Sequence, residues 1–296
     1  MTGLYSTGMA QFPRYDYVLK EGKPVGQVRG LVYDGFYTTA DFNYANGVYT
    51  LKEGVPDLTN FIGSVHGVGS NERPKGQIAY PGMPKFRDLD NSGFIDEGDV
   101  DIIGDTNPKC TGGFNFTVNW KNFDLGAYFN WSIGNKIYNA TKIASMYGYK
   151  ETGVFENRFD FMKNAYKVYD VIDGKMQRVT DPASLDRLNQ NAQYPWGCYE
   201  NYVTSSIAIE NGSFLRLNTL TLGYSLPRNI LHHVGLSSLR VYGTIYNLFT
   251  ITGYSGLDPE VNTNSSQGNA SYPTTGLDWG TYPRARSFVL GLNVKF

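Results

Sequence analysis

The segment "NFDLGAYFNWSIG" constrains the fold of this 296-residue chain more than any other. Phe123, Leu125, Ala127, Phe129, Trp131 and Ile133 fall on one side of an extended strand. Asn122, Asp124, Gly126, Tyr128, Asn130 and Ser132 fall on the other. Successive side chains of a strand point to opposite faces, so this pattern specifies one apolar and one polar face. Helical spacing would scatter the same residues around a cylinder and bury no coherent stripe.

Four more segments carry the same period. "TGGFNFTVNW" sets Phe114, Phe116, Val118 and Trp120 against Thr111, Asn115, Thr117 and Asn119, with only Lys121 and its neighbours before the first stripe. "SLRVYGTIYNLF" sets Leu239, Val241 and Ile245 against Arg240, Tyr242, Thr244 and Tyr246. "SFVLGLNVKF" sets Phe288, Leu290, Leu292, Val294 and Phe296 against Ser287, Gly291, Asn293 and Lys295. In "FLRLNTLTLGYSL" the apolar phase slips between Leu217 and Leu220, which a bulge explains. The expected strands are 111–120, 122–134, 213–226, 238–249 and 284–296, and the fold class is all-β.

Composition agrees, with 15% aromatic residues including 23 Tyr, 34 Gly and only 18% charge, a mixture that favours strands and turns. A net charge of −1 leaves no footprint for nucleic acid. No apolar run reaches the roughly 18 residues of a membrane helix, a criterion blind to barrel strands. The N-terminus lacks the basic and apolar regions of a secretory signal, which fits a cytosolic protein or a piece of a longer chain. Cys110 and Cys198 are either a disulfide or two buried thiols. Without a Gly-Xaa-Ser-Xaa-Gly elbow, a phosphate loop or zinc spacing, the chain is not expected to be an enzyme.

Two architectures accommodate the stripes. In a soluble β-sandwich they pack sheet on sheet, giving a calcium-stabilised carbohydrate-binding protein. In an outer-membrane barrel they face lipid. Connection lengths favour the barrel: a tight turn at Lys121 and the short "PRNILHHVGLS" alternate with long loops at 135–212 and 250–283, as periplasmic turns alternate with extracellular loops. Strand parity then puts residues 1–109 outside the cell, as an extracellular loop and β-hairpin region ahead of barrel strands in 110–296. Five strands cannot close, and an open edge in hydrocarbon leaves backbone groups unpaired, so further strands are expected beyond these residues.

"PVGQVRGLVYDGFY", "KFRDLDNSGFIDEGDVDIIGDTNPKCTGGFNFTVNWKNFDLGAYFNWSIGNKIYN", "GSFLRLNTLTLGYSLP", "LRVYGTIYNLFTITGYSGLDPEV" and "YPRARSFVLGLNVKF" together resemble the C-terminal part of the SusC/RagA family of TonB-linked outer-membrane proteins. The resemblance implies a large plugged barrel in the outer membrane of a Gram-negative bacterium. It implies import of oligosaccharides or peptides, energised through the TonB complex, with a SusD-like surface lipoprotein as partner. The signal peptide, TonB box and plug that it also implies lie outside these residues. Phe296, a terminal aromatic on an alternating strand, matches the signal for barrel insertion.

Two candidate sites stand out. "DLDNSGFIDEGD" has the ligand order of a calcium loop, with Asp88, Asp90, Ser92, the Phe94 carbonyl, Asp96 and Asp99 at positions 1, 3, 5, 7, 9 and 12 and Gly93 at the turn. Pro81 and Pro84 exclude a preceding EF-hand helix, so Ca2+ would stiffen a loop here and not signal. The loop aromatics Tyr194, Trp196, Tyr199, Tyr202, Tyr254, Tyr272 and Trp279 are candidates for stacking on a ligand or partner, against a background of loop self-packing. His66, His232 and His233 have no second metal ligand at useful spacing. Pro182 after Asp181 predicts a short helix, and Phe159, Met162 and Tyr166 are at helical spacing.

Overall fold

A computed structural model describes residues 2–8, 10, 12–59, 71–146, 158–196, 202–232, 235–261 and 274–296. The chain forms two compact units, interleaved in sequence rather than divided at residue 109: Met1–Thr106, Tyr138–Ile209 and Thr263–Trp279 make one, and Asn107–Ile137, Glu210–Asn262 and Gly280–Phe296 the other. Much of the sequence expected as barrel loops therefore clusters with the N-terminal region. The reason is burial: Tyr138, Leu185, Trp196, Val203 and Leu277 complete a core begun by Tyr17, Val28, Leu31 and Tyr37.

The strand unit is a five-stranded antiparallel sheet of β1 (Cys110–Trp120), β2 (Phe123–Ile133), β3 (Phe214–Ser225), β4 (Ser238–Thr252) and β5 (Ser287–Lys295), in that order. β1 and β2 pair from Cys110↔Ile133 to Trp120↔Phe123, leaving a two-residue turn in which Lys121 adopts φ +54°. The phase slip of β3 is a bulge: Phe129 pairs with Leu217 and Tyr128 with Thr219, so Asn218 is the extra residue. β4 runs three residues beyond its expected end at 249. Among the described residues the sheet does not close on itself, and β1 and β5 are its edges.

The apolar stripes stand open where a sandwich would bury them. Leu290 is 88% exposed, Phe288 70% and Trp120 63%. No described helix is long and apolar enough to cross a membrane, which leaves crossing by strands untouched.

The other unit holds a four-stranded sheet of Thr2–Tyr5, Tyr17–Lys20, Gln27–Leu31 and Val100–Asp105, with smaller hairpins. Two hairpins turn on residues that tolerate positive φ, Asn46-Gly47 (51° and 83°) and Asp173-Gly174 (52° and 74°). Its core is built on tyrosine, and three of the buried phenols donate to backbone carbonyls: Tyr17 to Thr275 O (2.9 Å), Tyr37 to Pro56 O (2.6 Å) and Tyr49 to Thr180 O (2.7 Å). Burial raises the pKa of all three hydroxyls.

Pro182–Leu188 is helical, and the Asp181 carboxylate caps it by accepting from Ser184 N at 2.9 Å. The helical spacing of Phe159, Met162 and Tyr166 does not become a helix beyond the 3-10 turn Asp160–Asn164. Ala165 bridges to Tyr194 and Tyr166 N donates to Tyr194 O, so tertiary pairing overrides local propensity.

Candidate functional site

Pairing across β2, β3, β4 and β5 keeps side chains of one character in register. Phe123, Tyr224, Val241 and Leu292 form one row on the apolar face; Leu125, Leu222, Gly243 and Leu290 form the next. Ala127, Leu220, Ile245 and Phe288 form a third. Phe114 stacks on Phe129 (centroids 4.6 Å apart), and Trp120, Phe123 and Tyr224 make an aromatic run beside the Lys121 turn. The eleven residues of β2 at ~3.4 Å each, tilted by about 45°, rise about 25 Å, the height of a barrel's apolar band.

The opposite face is polar, and its two strand arginines, Arg240 and Arg216, are both paired. Arg240 on β4 reaches Asp124 on β2 with Nε–Oδ1 at 2.9 Å and Nη2–Oδ2 at 2.5 Å. It passes over Gly223 of β3, where a Cβ would lie 2.4 Å from Asp124 Oδ1. The Arg240 guanidinium lies 4.8 Å from the Tyr242 ring centroid, and that ring covers Gly291 of β5.

Nearer the other end of the sheet, Arg216 pairs with Asn130 and Thr250, so it also points to the polar side. Its side chain is only 2% exposed. Nη2 donates to Asp258 Oδ1 at 2.7 Å, Nη1 to Glu260 Oε2 at 2.7 Å and Nε to Thr250 Oγ1 at 2.9 Å. Arg284 approaches the same two carboxylates more loosely, at 3.8 and 3.3 Å. The motif reading missed both networks. Their signal was an arginine at a polar-phase position of a strand long enough to cross a bilayer, where a charge needs a partner.

The calcium-like loop lies in the other unit, between the strands Pro84–Phe86 and Val100–Asp105, and its last residues form the 3-10 turn Glu97–Asp99. Strands flank it where an EF-hand has helices. Carboxylate oxygens of Asp88, Asp90 and Asp99 lie within 4.8 Å of one another. Asp99 is fully buried and accepts from Leu89 N (2.6 Å) and Asp96 N (2.8 Å). Asp88 accepts from Ser92 N and Gly93 N at 3.1 and 2.8 Å. The Ser92 side chain and then its backbone N–H hold the Asp90 carboxyl below its ordinary pKa.

Three of the six predicted positions are used otherwise. The Ser92 hydroxyl donates to the Phe94 carbonyl at 2.9 Å, and Asp96 caps the following turn by accepting from Gly98 N at 2.7 Å. The geometry thus offers a three-carboxylate cluster in place of a full set of six.

The loop aromatics divide. Trp196 and Tyr254 are buried, packed within the protein. Tyr202 packs against the core, while Trp279 is 40% exposed. Tyr199, Tyr272, Cys198, His66 and His233 lie outside the described residues. Cys110 is exposed and not a buried thiol, His232 is exposed, and Phe296 is 88% exposed.

No family model matches the chain. TonB-dependent receptor P3 of Formosa agariphila is 31% identical over 283 residues, covering 96% of this chain and 23% of that receptor. TonB-dependent receptor SusC of Bacteroides thetaiotaomicron is 30% identical over 213 residues, covering 71% of this chain and 17% of that receptor. The chain therefore spans less than a quarter of the length of these relatives. The structure of the RagAB peptide transporter matches with a TM-score of 0.59 at 20% identity, over 96% of this chain and 24% of that one, a likeness of fold. Similarity that runs through the stripes, the turns and the loops between them reflects common descent, and the chain belongs to the TonB-dependent receptors of the SusC/RagA type.

Proposed function

We propose that this chain forms part of the barrel wall of an outer-membrane, TonB-dependent importer that works with a SusD-like lipoprotein and carries oligosaccharides or peptides. The supporting observation is the continuous apolar face of β2–β5, in register over three rows and exposed to the surroundings. Lipid solvates such a face without a second sheet, whereas in water it is a large aggregation-prone patch. Unpaired edges on β1 and β5 call for neighbouring strands, which the greater length of the relatives can supply. In this reading the polar face lines the lumen, and β1, β3 and β5 run toward the periplasm.

The test is expression of the complete reading frame in its host, followed by fractionation. The importer reading expects the protein in the outer membrane, migrating faster in unboiled than in boiled detergent gels and co-purifying with a lipoprotein. Recovery as a soluble monomer counts against it.

We also propose that Asp88, Asp90 and Asp99 hold a calcium ion that stiffens their loop. The cluster offers hard oxygen ligands of the kind calcium takes, and Asp99 is already oriented by two backbone donors.

A further inference from the structure

We infer that residues 253–261 form a fixed shelf on the polar side of the sheet, bolted there by Arg216, and are a permanent part of the lumen rim instead of a moving gate. β4 ends at Thr252, and the chain after it could run on into solvent. It turns back instead, so that Asp258 and Glu260 meet a guanidinium that points to the polar side.

Arg216 is the bolt because of its burial. A guanidinium at 2% exposure is costly unless its N–H groups are matched, and the partners at 2.7 Å both belong to the shelf. If the shelf lifts, Arg216 loses both carboxylate partners at once and keeps only the Thr250 hydroxyl. Asp258, itself 6% exposed, also accepts from Glu260 N at 2.9 Å, which fixes the turn presenting both carboxylates. Arg284 brings the group to two positive and two negative charges, but at 47% exposure and longer range it is an accessory.

Two further fastenings act independently. The Glu210 carboxylate accepts from both the N–H and the hydroxyl of Ser255, at 2.9 and 2.8 Å. Tyr254 and Val261, near the two ends of the shelf, are buried in one cluster with Ile137. Gates are drawn from segments with few buried contacts, whereas this one buries Tyr254, Asp258 and Val261. The bolt is read from the strand unit alone; only the word "lumen" rests on the importer reading.

The experiment is hydrogen exchange on the complete receptor purified from outer membranes in detergent, comparing the native protein with Arg216→Met and Arg284→Met. Amides of 253–261 are expected to exchange as slowly as the ends of β3 and β4. Arg216→Met should speed them by about tenfold or more without altering β2–β4, since only the local opening changes, and Arg284→Met should do less. Should Arg216→Met fail to fold, the Asp258→Asn/Glu260→Gln double variant carries the same expectation. The inference is overturned if the native segment exchanges like an exposed loop, or if a folded bolt variant leaves its exchange unchanged. Loss of heat-dependent gel migration in the native protein would instead count against the barrel reading.

Discussion

Arg240 and Asp124 form a forked ion pair across an intervening strand, with Gly223 of β3 lying beneath the bridge. Side chains two strands apart meet only where the middle strand carries no side chain on that face. Gly291 on β5 leaves room for the Tyr242 ring beside it, so the side chains run from Asp124 on β2 through Arg240 to a ring lying over β5.

Gly223→Ala should therefore break the bridge. A Cβ there meets Asp124 Oδ1 at 2.4 Å and Arg240 Nη2 at 2.5 Å, so one partner must leave. The expected loss is about 1 kcal/mol or less, because the groups that give way are the ends of flexible, partly exposed side chains and what is lost is their ion pair, read from urea unfolding in detergent micelles. Gly126→Ala, where a Cβ meets nothing within 4 Å, is the control and should have little effect.

The two faces should respond oppositely to charge. Leu222 lies on the apolar face in the row with Leu125 and Leu290, and Thr221 lies beside it on the polar face. Leu222→Arg should cost about 1 kcal/mol or more in a bilayer, short of the roughly 2–4 kcal/mol of arginine at mid-depth because its row is the second from the Lys121 turn, while Thr221→Arg should cost far less. Folding titrations of the complete receptor into lipid vesicles make the comparison, and equal costs would argue against lipid on the Leu222 side.

Calcium should protect the loop at residues 88–99 from proteolysis near neutral pH, and chelation should remove that protection. Asp90→Asn should abolish most of the calcium effect while sparing the backbone bonds to Asp99. The Asp90 pKa is lowered in the folded state from an ordinary 3.8, so its contribution is present above that value and fades as the pH falls through the lower, folded one. Protection that ignores calcium in both proteins would leave the cluster a capped polar turn.

The strands were legible because a period of two over ten or more residues has no other economical reading, and the bulge at Asn218 was visible as a break in that period. The Asp181 cap was legible for the same local reason. The tyrosine core of the other unit was not, because its members come from segments as distant as Tyr17 and Leu277 and no short pattern joins them. Arg216 and Asp258 are 42 residues apart, and nothing local says that the chain folds back between them. Whether Trp196 and Tyr254 self-pack or face a ligand was open for a related reason: burial in a loop is decided by what folds over it.

The central claim is that one face of β2–β5 meets lipid and the other does not. Single cysteines at Leu290 and Asn293, in the complete receptor with Cys110 and Cys198 replaced by serine, can carry a polarity-sensitive fluorophore in vesicles containing a lipid-borne quencher. Leu290 is 88% exposed on the apolar face, and Asn293 shares the polar face with Arg240. Strong quenching at position 290 with little at 293 is the predicted result. Equal quenching at both, or quenching at 293 alone, would contradict the account.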